Sequence, residues 1–400
     1  MYIALVVINR EVIFVKKAGI VSLYYRNFNH GGLLQAYALV QLMQQFEVDA
    51  KQISYEKMPV KQESFVTRIK KYSLKQIVRI VFDKIKQKYI NLRDKRIKRE
   101  CANEIKNRQK RFIDFMESIP HTEVVNHTTI EKLESEFDFF ITGSDQVWNP
   151  NWADDVYFLN FTNKKKLSYA ASIGKDSFND VEANFFGSRI KDIDIITVRE
   201  ESAKKLVEKY SQKAAQVVLD PTLMLEKKQW EIIEEKVEVP KKYIMCYLLG
   251  KNKAIHRKIR KIADEKRLKI VYLPFCHEQE CYKEKEFGDI RLANVGPKEF
   301  LYLIHNAEYI MTDSFHAVVF SLLYHKRFIV FNRYYAGTKL ANGRIVTLLS
   351  KVGLIDRYCD KVYEDISDEE IKWDKIDSII ADERKMVIDF LNGKLYNNMV

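Results

Sequence analysis

The sequence predicts an α/β protein of two doubly wound, Rossmann-like domains that face each other across a cleft. Three observations support this. Short β-branched or aromatic runs alternate with amphipathic helical runs, as parallel βα units do. The alternation stops at the polar, Pro240-containing stretch Glu234–Lys242 and then starts again. The 400 residues are enough for two domains, and 46% hydrophobic with 30% charged residues is a globular composition. The expected organisation is an N-terminal Rossmann-like domain over 1–235, a second over 243–365, and a C-terminal helical segment over 366–400.

In the first domain the strand candidates are Ala18–Tyr25, AKQISY, DFFITG, LSYAAS, DIITV and QVVLD. Helical runs Gly32–Phe46, Val181–Lys191 and Glu200–Tyr210 lie between them. In the second domain YIMCYLLG, KIVYLP, EYIMT and RFIVF read as strands. Helices are expected at Lys253–Lys266, Pro297–Asn306, His316–Tyr324 and Arg344–Val352, with a last one over Trp373–Leu391. The opening MYIALVVINREVIFV is broken by Arg10 and Glu11 and lacks a basic leader and a small-residue cleavage site. It reads as an extra strand or an upstream start, since a self-sufficient first strand begins at Ala18. No apolar run reaches the length of a transmembrane helix.

The net charge of +12 is concentrated. Val66–Phe112 holds 17 Lys+Arg against 4 Asp+Glu, so the rest of the chain is close to neutral. Ile69, Tyr72, Ile77, Ile80, Val81, Ile85 and Tyr89 recur there near helical spacing, which predicts a basic amphipathic insertion of one or two helices over 66–112. Such an arm is either a solvated helix face or a surface for an anionic membrane. Few aromatics for base stacking and no recognisable module argue against nucleic acid. Five cysteines, an odd number in a long chain, argue against a disulfide framework and for a reducing cytoplasm. Cys276 and Cys281 flank a polar run without a second ligand pair, so no metal site is expected.

Four strand ends carry groups suited to chemistry. After the first strand, Asn29, Gly31 and Gly32 open a helix whose N-terminus favours an anion; a glycine pair is also what a tight turn needs. The strand ending at Gly143 is followed by Ser144, Asp145, Gln146, Trp148 and Asn149, where open α/β sheets place ligands. Arg199 follows another strand directly and can clamp a carboxylate or phosphate, or pair with Glu200, Glu201 or Asp220. After Thr312, Asp313 or Ser314 can cap a helix that carries His316 in its first turn, where histidine can move a proton, bind an anion, or merely pack.

The segments NFNHGGLLQAYAL, FDFFITGSDQVWNP, LSYAASIG, TVREESA, VLDPTLML, VGPKEFLYLIHNAEYIMTDSFHAVVFS and the Arg344–Arg357 tail resemble, in order, blocks of the polysaccharide pyruvyl transferase family. GSDQVWNP and TDSFHA are the specific pair, and the resemblance spans about Ala18 to Arg357. It implies a fold similar to GT-B glycosyltransferases, phosphoenolpyruvate as donor with no further cofactor, and a pyruvate ketal on a cell-surface or exopolysaccharide glycan as product. It makes His316 the catalytic histidine and Arg199 a donor-binding arginine, with Asp145 orienting or deprotonating an acceptor hydroxyl. Where better-studied members carry Arg-Leu-His, this chain has Ser314-Phe315-His316. Another cation must then hold the phosphate, or the donor or reaction differs. The expected partner is a glycan or lipid-linked oligosaccharide, met in the cytoplasm or at the inner face of the membrane. The competing readings are a GT-B glycosyltransferase with a nucleotide-sugar donor and a non-catalytic carbohydrate-binding relative.

Overall fold

The computed structural model describes residues 16–58, 102–250, 252–274, 287–335, 338–339, 342–362 and 369–395. Apolar runs of four to seven residues become parallel strands because helices cover both faces of each sheet. The first sheet contains β1 (Lys16–Val21), β2 (Val48–Gln52), β3 (Phe139–Asp145), β4 (Lys165–Ala171), β5 (Ile195–Val198) and β6 (Gln216–Val217). Their order is β2-β1-β3-β4-β5-β6, every pairing parallel. Alternate residues of β3 feed different cores: Phe139 and Ile141 pack with one helical layer and Phe140 with the other.

The second sheet contains β7 (Tyr243–Leu248), β8 (Lys269–Pro274), β9 (Ile290–Arg291), β10 (Tyr309–Thr312) and β11 (Arg327–Phe331). A short antiparallel hairpin, β12 (Tyr334–Tyr335) with β13 (Thr338–Lys339), precedes its last strand, β14 (Tyr358–Cys359). The order β14-β11-β10-β7-β8-β9, again all parallel, is doubly wound about β7 and β10. The strand order therefore reverses beside β1 in one sheet and between β7 and β10 in the other. Crevices for ligands open at such points.

Helix α1 (His30–Gln45) is apolar on nearly all sides, because it lies between the two domains rather than on a surface. Its Leu33, Leu39 and Met43 share one core with Tyr247, Phe300 and Phe320 of the second domain. His30, at its start, is buried across this seam: Nδ1 lies 3.2 Å from Tyr247 Oη and Nε2 3.2 Å from Val295 O. Burial pushes its pKa well down, so it bridges the domains as a neutral ring.

The remaining α-helices among the described residues are α2 (Ala102–Glu117), α3 (Asp180–Arg189), α4 (Glu201–Ser211), α5 (Pro221–Met224), α6 (Lys227–Glu231), α7 (Lys253–Lys266), α8 (Pro297–His305), α9 (Phe315–Leu323), α10 (Gly343–Lys351) and α11 (Trp373–Leu395). The junction expected at 234–242 is an irregular stretch between α6 and β7. Helix α11 returns to the first domain, where Arg384 donates to the carbonyls of Leu223 and Leu225 and Lys16 Nζ to that of Leu395.

Several strand boundaries differ from expectation: β2 lies at Val48–Gln52 rather than 50–55 and β6 ends at Val217 rather than Asp220, and two further shifts bear on the site. β1 stops at Val21, four residues short, because Tyr24–Asn27 forms a turn closed by Asn27 N–H to Tyr24 O. β3 runs two residues past Gly143, since Asp145 still pairs with Ala171 of β4. The run 1–15, residues 66–101 of the basic arm, Cys101, and the Cys276–Cys281 run lie outside the described residues. The arm's last part forms the start of α2, where Arg108 and Phe112 are buried. Cys246 and Cys359 are buried. No described helix is long and apolar enough to cross a membrane.

Candidate active site

A cavity of about 490 Å³ opens between the carboxyl ends of the two sheets. Its size is that of an ordinary small-molecule site. The first domain contributes the turn after β1 and Asp145 at the end of β3; the second contributes Ser314 and His316 after β10, Arg333 after β11, and Arg344 in α10.

His316 crosses the seam. It is the second residue of α9, but its ring lies against Gly31 of α1, where an added Cβ would overlap Nδ1. Only glycine leaves room for the imidazole there. Nε2 is buried, has no hydrogen-bond partner among the described residues, and faces Asp220 Oδ2 at 3.8 Å. Burial lowers the His316 pKa to about 4, against the pull of Asp220 and Asp145, with Arg199 and Arg344 lowering it further. The ring is therefore neutral near pH 7, ready to accept a proton.

Asp220, which the sequence offered only as an ion-pair partner, is the centre of the polar network. It caps α5, with Oδ1 accepting from Thr222 N–H at 3.0 Å and Thr222 Oγ1 at 2.6 Å. Oδ2 accepts from Arg199 Nη1 at 2.7 Å and Ser144 Oγ at 2.9 Å. Burial alone would raise its pKa, but the Arg199 charge and the hydrogen bonds from Thr222 and Arg199 hold it below the usual carboxylate value.

Arg199 does not line the cavity. Its side chain is 2% exposed. Nη1 is engaged with Asp220 and Nη2 donates to Asp145 Oδ1 at 3.1 Å, while the guanidinium sits 4.5 Å over the Phe315 ring. Burial opposes its charge, yet Asp220, Asp145 and Glu200 together raise its pKa above the ordinary value. The ion pair named as its alternative role is thus present, and it locks two carboxylates in place. Asp145 stays ionised, because Arg199 and other nearby cations outweigh its burial. It lines the cavity in a left-handed conformation (φ 64°), a strain typical of functional positions.

The other expected residues divide between wall and support. Asn29 and Ser314 line the cavity. Asn29 caps α1, its Oδ1 accepting from Gly32 N–H at 3.3 Å, and a Cβ at Gly32 would overlap the Asn27 amide. Ser144 is fully buried behind the wall, held to Asp220 and to Gln35. Gly143 has φ +114°, and a side chain there would collide with Tyr169 O, so its role is in the backbone. Asp313 does not cap α9; Ser314 occupies the cap position without a side-chain bond. The Asp313 carboxylate instead accepts from Leu249 and Gly250 N–H, both at 2.7 Å, and so pins the loop after β7.

Several cavity residues escaped the sequence reading, among them Arg26, Lys57, Arg333 and Arg344. Arg333 donates through Nη2 to Asp313 O at 2.6 Å, with Nε 3.6 Å from Asp313 Oδ2. Arg344 makes no hydrogen bond or ion pair among the described residues, and its Nε is buried. Burial lowers its pKa to about 10, with Arg199 and Arg333 adding to the effect. A half-buried guanidinium on a cavity wall, its Nε buried without a partner, marks a place for an anion.

A family model for polysaccharide pyruvyl transferases matches residues 29–334. The chain belongs to that family. No curated protein sequence matches it. Among solved structures, this pyruvyl transferase family member is similar to a Listeria monocytogenes protein described as a UDP-N-acetylglucosamine 2-epimerase, with 9% identity, 96% and 97% of the two chains covered, and a TM-score of 0.51. It is likewise similar to S. aureus MnaA solved with UDP, at 11% identity, 96% and 98% coverage and a TM-score of 0.51. At these identities the likeness concerns the fold, a two-sheet GT-B-like α/β architecture.

Proposed function

We propose that this protein transfers the pyruvyl group of phosphoenolpyruvate to two hydroxyls of a glycan sugar, forming a pyruvate ketal. The observation that supports this best is the pairing of an unpartnered Arg344 with a neutral His316 on one cavity wall. In this reading Arg344 and Arg333 bind the donor's phosphate and carboxylate, the duty expected of Arg199. They supply the cations that Ser314 does not. Arg199 becomes a positioning residue for Asp145 and Asp220.

The chemistry follows from charge development. His316 removes the proton of the first acceptor hydroxyl, and the freed electron pair attacks C2 of the donor. The proton passes to the methylene carbon, which becomes the methyl group. Phosphate then leaves, and the resulting oxocarbenium-like centre takes the second hydroxyl, whose proton departs with the phosphate. Asp145 orients the acceptor, and the guanidinium groups stabilise the leaving phosphate. The acceptor in this proposal is a polysaccharide precursor or lipid-linked oligosaccharide.

Phosphoenolpyruvate should raise the thermal midpoint, since it binds only the folded state. At ~100 times its dissociation constant the stabilisation is about 2.7 kcal/mol. A scan with phosphoenolpyruvate and a set of nucleotide sugars checks this. Stabilisation by a nucleotide sugar with none by phosphoenolpyruvate would favour a glycosyltransferase instead.

A further inference from the structure

We propose that Asp220 is the positioning residue for His316: its Oδ2 holds the neutral imidazole as the Nε2–H tautomer and leaves Nδ1 as the nitrogen that meets substrate. Of the two ring nitrogens only Nε2 is both buried and unpartnered. It points across the domain seam at Asp220 Oδ2, 3.8 Å away. That distance is longer than a hydrogen bond in the ligand-free protein; catalytic bonds of this kind tighten when ligand binds. The carboxylate cannot turn aside, because Thr222 holds Oδ1 while Arg199 and Ser144 hold Oδ2. A lone pair on Nε2 facing that anion would be repelled, whereas an N–H facing it is attracted. Nδ1 makes no hydrogen bond among the described residues either; it lies beside Gly31, whose missing side chain leaves it room, on a ring that lines the cavity.

The charged groups around the ring are Asp220 before α5, Asp145 on β3, Arg199 after β5 and Arg344 on α10. When Nδ1 takes a hydroxyl proton, Asp220 and Asp145 offset the new positive charge. Because His316 and Asp220 belong to different domains, the working histidine is assembled only when the two domains are packed together.

The catalytic part of this inference rests on the pyruvyl-transfer reading; the tautomer does not. The test is a nitrogen-15 spectrum of the full chain labelled at histidine, at pH 7 without substrate, with His316 assigned by His316→Gln. The expected result is a protonated Nε2 and an unprotonated Nδ1. The opposite tautomer overturns the proposal, even if every Asp220 variant fails to fold. Asp220→Asn should mix or invert the tautomer and lower kcat by roughly 10²–10⁴-fold, with KM for phosphoenolpyruvate little changed. A normal tautomer and normal kcat in Asp220→Asn also overturns it. The expected tautomer in a protein that never turns over phosphoenolpyruvate would leave Asp220's role intact and reject the donor.

Discussion

His316→Ala should lower the rate of pyruvyl transfer by roughly 10²–10⁴-fold, the usual worth of a positioned acid or base, while phosphoenolpyruvate still binds. The binding cations in the account are Arg333 and Arg344, neither of which contacts the donor through the imidazole. The pH dependence follows from the same environment. The neutral ring is the active form, and burial lowers its pKa to about 4. The acidic limb of kcat/KM, which reports the free enzyme, should therefore lie near that pH rather than near 6.5. Below it the imidazolium accumulates and activity falls. The same shift acts on stability: between 6.5 and about 4 the unfolded chain binds a proton that folded His316 refuses, so this residue makes stability rise with pH across that window. A variant with near wild-type turnover would remove His316 from the mechanism.

The second large effect is expected at Arg344. Arg344→Gln should weaken phosphoenolpyruvate binding roughly 10–150-fold, corresponding to about 1.5–3 kcal/mol for a hydrogen bond to a charged group. The free protein should be no less stable than wild type, because the variant removes a half-buried charge that makes no hydrogen bond or ion pair among the described residues. Arg344→Lys should fall between the two, keeping the charge but losing the planar fork. Titration calorimetry and thermal melting of the same samples separate the effects. Wild-type affinity in Arg344→Gln would place the anion elsewhere. Lost affinity together with a large drop in melting temperature would make Arg344 a structural residue.

Much of this site was legible in the sequence because it follows strand ends. Runs such as DFFITG and EYIMT are apolar, short and bounded, so their carboxyl ends, and with them Asp145 and His316, could be placed without coordinates. The direction of Arg199 was not legible. An arginine after a strand can face the cavity or its neighbours, and that choice depends on Asp145 and Asp220, which lie 54 and 21 residues away in the chain. Ser144 read as a ligand-binding group at a strand end but is buried, its Oγ donating to Asp220. Gly31 looked like a place for ligand backbone contact but makes room for His316, which only the packing of the two domains brings there. Arg333 and Arg344 flank a polar stretch without periodicity, so no pattern marked them. Their signal is tertiary: guanidinium groups in a cleft, one of them unpaired.

The central claim is best tested by turnover itself. The protein is incubated with phosphoenolpyruvate and a panel of free and lipid-linked glycans, and phosphate release is followed alongside the masses of the products. The account predicts one phosphate released for each pyruvyl ketal gained by an acceptor, with both signals lost in His316→Ala. A glycan that gains a hexose from a nucleotide sugar, while phosphoenolpyruvate stays intact with every acceptor, would contradict it.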